Sequence, residues 1–325
     1  MRFTLRAVMA LLVAGALSPV ILSSTASADT WPSRPVRVIV PYAAGGSGDA
    51  VARPWAEKLS HAFGQQFVVE NKTGASGTIG AEAAARAPAD GYTLLASPHS
   101  ALTLVPQLRK TAYDLERDFQ AVGRTGDMIA GVVLAPNVPA NSVAEFLDLA
   151  RKAPDEFTCG SAGLGTQTHM RCELFPRRGG VRIRHIPYRG SAESLNDLLG
   201  GHISMMTESN ALPQAKAGKI KIIAIVDDQR HPDFPNVPTL AEAGMPDFGP
   251  KLSFGIFAPK QVPREIVLRL NEEVRRIAQT EEMRARLLGL GMRAVVMTAD
   301  EMQADLKRET AMMGALIKEL DFRVE

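Results

Sequence analysis

Val36-Arg37-Val38-Ile39-Val40 runs directly into Pro41-Tyr42-Ala43-Ala44-Gly45-Gly46-Ser47-Gly48-Asp49. Beyond it, Val51, Trp55, Leu59 and Phe63 recur at helical spacing. A β-branched run, a glycine loop and a one-faced helix make the first half of a βαβ unit. The pattern then repeats. Phe67-Val68-Val69 reads as a strand, Gly80 to Arg86 as an alanine-rich helix, and Tyr92-Thr93-Leu94-Leu95-Ala96 as a third strand. Such alternation predicts an α/β fold with a largely parallel sheet.

A second block opens near Val132-Val133-Leu134. Ser142-Val143-Ala144-Glu145 has the capping-box pattern and predicts a helix to about Lys152. Strands are expected at Phe157–Cys159, Arg184–Pro187, Ile203–Met206 and Lys221–Val226, with a helix starting near Thr166–Thr168. Strand returns at Ser253–Ala258. Pro263 then marks a helix start, with Ile266, Val267, Leu270 and Val274 as its apolar stripe. Thr298-Ala299-Asp300-Glu301 is another capping box.

The N-terminus reads as an address. Arg2 and Arg6 precede an apolar run from Ala7 to about Leu22, followed by Ser23-Ser24-Thr25-Ala26-Ser27-Ala28. That is a secretory signal peptide over residues 1–28, with cleavage expected after Ala28 and a periplasmic product. The alternative, a membrane anchor, is opposed by the short core and by Pro19 within it. Of 37 basic residues, two leave with that segment, so 35 basic face 35 acidic residues. A neutral mature chain gives no reason to expect a nucleic-acid partner. With 325 residues and 46% hydrophobic content, two domains of ordinary globular composition are expected.

Three glycine-rich loops lie between a strand and a helix: Pro41–Asp49, Asn71–Gly80 and Gly160–Thr168. Each is either a plain tight turn or a binding loop. The first turn of a following helix offers free N–H groups and a partial positive charge, enough to hold a carboxylate without lysine or arginine. No loop reads G-x-G-x-x-G, and the chain lacks G-x-x-x-x-G-K-[ST], H-E-x-x-H and G-x-S-x-G. Asp49 suits a structural cap at a helix start as well as a ligand contact. The six histidines show no metal-ligand spacing, and His169 and His185 read as packing or hydrogen-bonding residues.

At these loops the sequence resembles the substrate-binding proteins of tripartite tricarboxylate transporters, the Bug family. The segments that carry the resemblance run in order: Trp31–Gly46, Val69–Gly80, Asp90-Gly91-Tyr92-Thr93-Leu94, Ser161–Thr166, Ile186–Ser191, Asp197–Gly201, Asn236–Gly244 and Ala258-Pro259. The resemblance implies a two-lobed clamshell of the type II periplasmic-binding class with hinge strands. Lobe one would be residues 29–130 with 251–325, and lobe two 131–250. It implies a monomer without a cofactor that closes on a small carboxylate and serves a membrane permease. A sensor kinase is the alternative partner. The ligand side chains and backbone it implies are Tyr42, Ala43, Ala44, Gly45, Ser47, Asp49, Ser97 and His99 from lobe one. From lobe two they are Ser161, Ala162, Gly163, Thr166, His169 and Glu208.

The chain departs from the family pattern at Gly201-His202-Ile203-Ser204 and at the shortened stretch Thr207-Glu208-Ser209-Asn210. There Glu208 would read an amine or hydroxyl, or repel a second carboxylate, or else face solvent. Pro176, in Arg171–Arg178, is expected to stop its helix early. Cys159 and Cys172 flank the third loop. Export permits a disulfide between them, and two buried thiols are the alternative. Arg177, Arg178, Arg182 and Arg184 read as a solvated face or a membrane-partner contact. A third function, an exported hydrolase using Ser47, Ser76 or Ser161 with His99 or His169, has no motif behind it.

Overall fold

A computed structural model describes residues 31–246 and 248–323. The chain divides after Trp31, and the compact unit Pro32–Glu325 carries everything discussed below. The expected signal peptide and its cleavage after Ala28 lie outside the described residues. Among the described residues no helix is long and apolar enough to cross a membrane.

The unit holds two sheets. The first contains β1 (Val36–Val40), β2 (Phe67–Asn71), β3 (Thr93–Pro98), β4 (Phe119–Met128), β10 (Ser253–Pro259) and β11 (Met292–Arg293), in spatial order β11-β4-β10-β3-β1-β2. The second contains β5 (Ala130–Leu134), β6 (Thr158–Ser161), β7 (Arg184–Pro187), β8 (Met205–Glu208) and β9 (Lys221–Val226), in order β7-β6-β8-β5-β9. Both sheets are mixed, not largely parallel. β1, β2 and β3 pair parallel, as do β6, β7 and β8. β10 runs antiparallel to β3 and β4, and β5 antiparallel to β8 and β9. The reversed strands β5 and β10 each follow a place where the chain changes sheets. It passes from β4 to β5 across Ile129 alone and returns between β9 and β10.

The helices are α1 (Ser47–Phe63), α2 (Thr78–Ala85), the short α3, α4 and α5 (Ser100–Thr103, Val105–Leu108 and Leu115–Asp118), α6 (Val143–Lys152), α7 (Gln167–Gly179), α8 (Ser191–Leu199), α9 (Leu212–Lys216), α10 (Arg264–Gln279), α11 (Glu281–Gly289) and α12 (Ala299–Leu320). α1 buries Val51, Trp55 and Leu59, the stripe expected from sequence. Trp55 also donates its indole N–H to Thr125 O at 3.0 Å, so its one polar atom is satisfied in the core. Ser142 caps α6, but Glu145 reaches back to the Asn141 N–H rather than to Ser142. At α12 the full capping box forms between Thr298 and Glu301.

Beneath the first sheet Ile39, Leu95, Leu102, Phe119, Phe257, Met302 and Leu306 form one buried cluster. Each such side chain removed from water contributes about 1.5–3 kcal/mol. A smaller cluster joins distant parts of the chain: Leu104, Met170 of α7, Met313 of α12 and Phe322. Pro176 does not stop α7. The helix continues to Gly179, and Gly180 ends it in the left-handed conformation. One lost N–H costs little this close to the helix end, and the buried ring packs instead.

Candidate functional site

The two sheets face each other across a cleft, and at its base lies a cavity of about 80 Å³. A cavity able to take one water is several times smaller, so this one accepts a small solute. Three helices begin at its wall. α1 presents Ser47 and Gly48, α7 presents Gln167 and Thr168, and α8 presents Ser191, Ala192 and Glu193. The first-turn N–H groups of a helix have no partner within the helix. The N-cap residues of α1 and α8 are Gly46 and Gly190, which have no side chain to cap with. The N-cap hydroxyl of Thr166 takes only the His169 N–H of α7. Three positive helix ends therefore converge on one small space, which is an anion-binding arrangement built from backbone. Met128, Leu252 and Phe254 supply apolar wall, and Arg189 stands at the exposed edge. An outer hollow of about 740 Å³, reaching Ser76, Arg109 and Leu164, shares Tyr42, Ala43 and Ala162 with the cavity.

The cleft is bridged. The Ser47 N–H donates to Ser191 Oγ at 3.3 Å, the two hydroxyl oxygens lie 3.1 Å apart, and the Ser47 hydroxyl donates to Glu208 Oε2 at 3.4 Å. Farther out, the Ser76 hydroxyl donates to Leu164 O at 2.5 Å. The Gln167 amide donates to Pro250 O at 2.6 Å.

Glu208 ends β8 and is buried. Burial pushes its carboxyl up to about 7, opposed by the Arg171 charge and by the Thr168 and Ser47 hydroxyls. Arg171, on the second turn of α7, is equally buried, and burial brings it down to about 10 despite the Glu208 charge. Tyr42 is pushed upward by burial and by Glu208. Glu208 Oε1, Gln167 Oε1, and Arg171 Nε and Nη1 have no hydrogen-bond partner among the described residues.

Of the residues expected at the site, Tyr42, Ala43, Ser47, Ala162, Thr166 and Glu208 line the cavity. Gly163 lines only the outer hollow. Seven others belong to neither lining. Ala44 and Gly45 face solvent on the outer turn of the first loop. Asp49 is spent on structure. It accepts from the Gly45 N–H, from Asn71 and bidentately from Arg53, which together hold its carboxyl below the usual range against desolvation. Ser97 turns toward α1, and His99 is fully buried behind β3. There His99 Nδ1 sits 2.9 Å from Glu309 Oε2, and its buried Nε2, the atom a base would use, has no serine or other partner among the described residues. The residues of that turn that do reach the cavity are Pro98 and Ser100.

Ser161 and His169 are used up inside the third loop. The fully buried Ser161 hydroxyl is 2.6 Å from His185 Nε2 and accepts from the Gly163 N–H. His169 Nδ1 accepts from the Gly165 N–H, and its ring stacks on His185 at 3.8 Å. His169, Glu173 and His185 are close enough to suggest a metal. The hydrogen bonds argue otherwise: with Nδ1 accepting, the His169 proton is on Nε2, the atom that faces Glu173 at 3.7 Å. Burial and the His169 neighbour bring His185 down to about 4. Cys159 and Cys172 are joined as a disulfide, Cα atoms 5.6 Å apart, tying β6 to α7 behind this loop. The hydrolase pairings do not form among the described residues: Ser47, Ser76 and Ser161 each bond to something other than His99 or His169.

Sequence reading missed the third helix end, Gly190–Glu193, and the apolar wall. The segment Tyr188-Arg189-Gly190-Ser191 preceding Ser194 and Leu198 was the available signal, a strand–glycine–helix junction like the other three loops.

Residues 51–322 match the family described as tripartite tricarboxylate transporter family receptor. The chain belongs to that family. BugT of Bordetella pertussis is 34% identical over 305 residues, covering 92% of this chain and 93% of its own. A protein of R. palustris solved with adipate is 32% identical at a TM-score of 0.86, covering 90% of this chain and 99% of that one. MatC from Rhodopseudomonas palustris, solved with bound malate, is 30% identical at a TM-score of 0.82, covering 88% and 100%. The two-lobed architecture is therefore that of periplasmic binding proteins, and the chain is a solute-binding receptor of the family, not an enzyme.

Proposed function

We propose that this receptor is exported to the periplasm, closes on one small carboxylate and delivers it to the membrane subunits of a tripartite transporter. The observation that carries the reading is the convergence of the α1, α7 and α8 N-termini on one cavity between the sheets. Such ends hold a carboxylate without a basic side chain in contact, and adipate and malate occupy the two relatives named above. The contacts proposed are Tyr42, Ala43, Gly46 and Ser47 from lobe one with Thr166, Ser191 and Glu208 from lobe two. The lobes are taken as 29–130 with 251–325, and 131–250. The chain is taken as a monomer.

The test is calorimetry and thermal shift on residues 29–325, stripped of ligand by unfolding and refolding, against a panel of small carboxylates. A ligand at 100 times its Kd should add about 2.7 kcal/mol of stability. A panel without a single binder sinks the reading. Delivery is checked by uptake of the labelled binder in cells with and without the gene. Uptake that survives deletion, while a transcriptional response to the binder is lost, assigns the receptor to a sensor kinase instead.

A further inference from the structure

The inference here rests on the carboxylate reading and narrows it. The cavity has two chemically opposite sides. One is the set of helix N–H donors. The other is a pair of acceptors, Glu208 and Gln167, both buried and both lining the cavity. The Gln167 amide nitrogen donates to Pro250 O, which fixes the other atom, Oε1, as an acceptor. That oxygen and Glu208 Oε1 have no partner among the described residues. A buried acceptor left without a donor is costly, and two of them beside one cavity ask for a donor from the solute.

The geometry points to an amino carboxylate as the ligand class, its carboxylate against the helix ends and its ammonium against Glu208 and Gln167. A plain mono- or dicarboxylate brings only acceptors. It leaves both oxygens unpaired and sets a further negative charge near Glu208. An ammonium brings three donors and the opposite charge. A hydroxyl brings one donor and no charge. Arg171 is buried beside Glu208 without lining the cavity, so above about pH 7, where Glu208 is ionised, the ligand-free pocket already holds one balanced pair of charges. A zwitterion adds no net charge to that closed space, whereas a dicarboxylate adds two.

The experiment is titration calorimetry on the refolded, stripped chain with two matched sets: aspartate, malate and succinate, then alanine, lactate and propionate. Within each set only the substituent beside one carboxylate changes. In at least one set the ammonium member should bind ten-fold or more tighter than the unsubstituted acid. Glu208→Gln should weaken the ammonium member at least ten-fold more than it weakens the unsubstituted acid. Gln167→Leu should narrow the same ratio by a smaller factor. An unsubstituted acid that binds as tightly as its amino analogue in both sets overturns the inference and leaves the carboxylate reading standing. So does a ratio unmoved by Glu208→Gln. No binding by any of the six compounds overturns both. If Glu208→Gln does not fold, the wild-type ratios and Gln167→Leu decide.

Discussion

Replacing Glu208 by glutamine should change how the stability of the ligand-free receptor depends on pH, and the sign is opposite to that of an ordinary paired carboxylate. Burial raises the folded-state pKa from 4.5 to about 7, with Arg171 only partly opposing it. Between those two values the folded chain holds a proton that the unfolded chain has released. Stability therefore falls as pH rises through this window. The contribution is fully present below pH 4.5 and lost above about 7. At roughly 1.4 kcal/mol per pKa unit, the loss is about 3 kcal/mol in all. Glutamine keeps the shape and does not titrate. Urea denaturation of both proteins from pH 4.5 to 8 should show the variant gaining about 3 kcal/mol relative to wild type across the range. His185 and every other titrating group are common to the two proteins and cancel in that difference. The variant also leaves Arg171 without its counter-charge, which offsets its absolute stability but not the pH-dependent part, because Arg171 stays charged below about 10. A flat difference, or a wild type that gains on the variant as pH rises, would refute the reasoning. A flat difference would mean that Arg171 fully offsets the cost of burial, and a gain by the wild type that Glu208 and Arg171 form a stabilising ion pair.

Four further outcomes are expected. His185, depressed from 6.5 to about 4, supports the fold fully above pH 6.5 and loses that support as pH falls toward 4. His185→Gln should flatten the acid limb of the denaturation profile, and a limb left unchanged would assign it to other groups. Replacing both Cys159 and Cys172 by alanine opens the covalent loop and should cost about 3 kcal/mol in urea, with an unshifted midpoint as the contrary result. At Gly80 a Cβ would stand 2.7 Å from Lys72 O and from Pro41 Cα, both backbone. Gly80→Ala should therefore destabilise by about 1–3 kcal/mol and weaken ligand binding by displacing the first loop, and a silent variant would contradict the packing. Ser191→Ala removes the hydroxyl that meets Ser47 across the cleft. It should weaken ligand affinity several-fold, about 0.5–1.5 kcal/mol, with a melting temperature near wild type. A large melting shift would show the contact to be structural rather than a closure bond.

Elements with strong local patterning were legible in the sequence. β1, α1, β7, β9 and α10 follow from β-branched runs, helical stripes and caps that agree with their surroundings. β4 was not. Gly123, Arg124, Gly126 and Asp127 carry no local strand pattern, and their logic is long-range: Gly123 makes room for Val274, and Arg124 pairs with Asp127 and Asp305. The site was half legible for a similar reason. Loop sequences announce helix ends, so Ser47 and Thr166 could be found. Which neighbouring side chain turns inward is decided by strands and helices far away in sequence. Glu309 pulls His99 behind the sheet, His185 takes Ser161, and Arg53 with Asn71 occupies Asp49. Each is a polar residue correctly placed beside the cleft whose bonds are spent elsewhere.

The last helix bears on how such a cleft can open. Met302 and Leu306, near the start of α12, sit in the core of the first sheet. One end farther on, Met313 and Phe322 pack with Met170, Arg178 pairs with Glu319, and the Phe322 ring lies 4.5 Å from that of His169. The chain end is thus a third tether beside the two crossings, anchored in one body and riding on the binding helix of the other. Any swing of the lobes must either roll Phe322 over Met170 or peel the final turn away. The travel of the jaws would then be governed by the reach of this last helix, and a bulky group attached at Phe322 would act as a wedge in the mechanism.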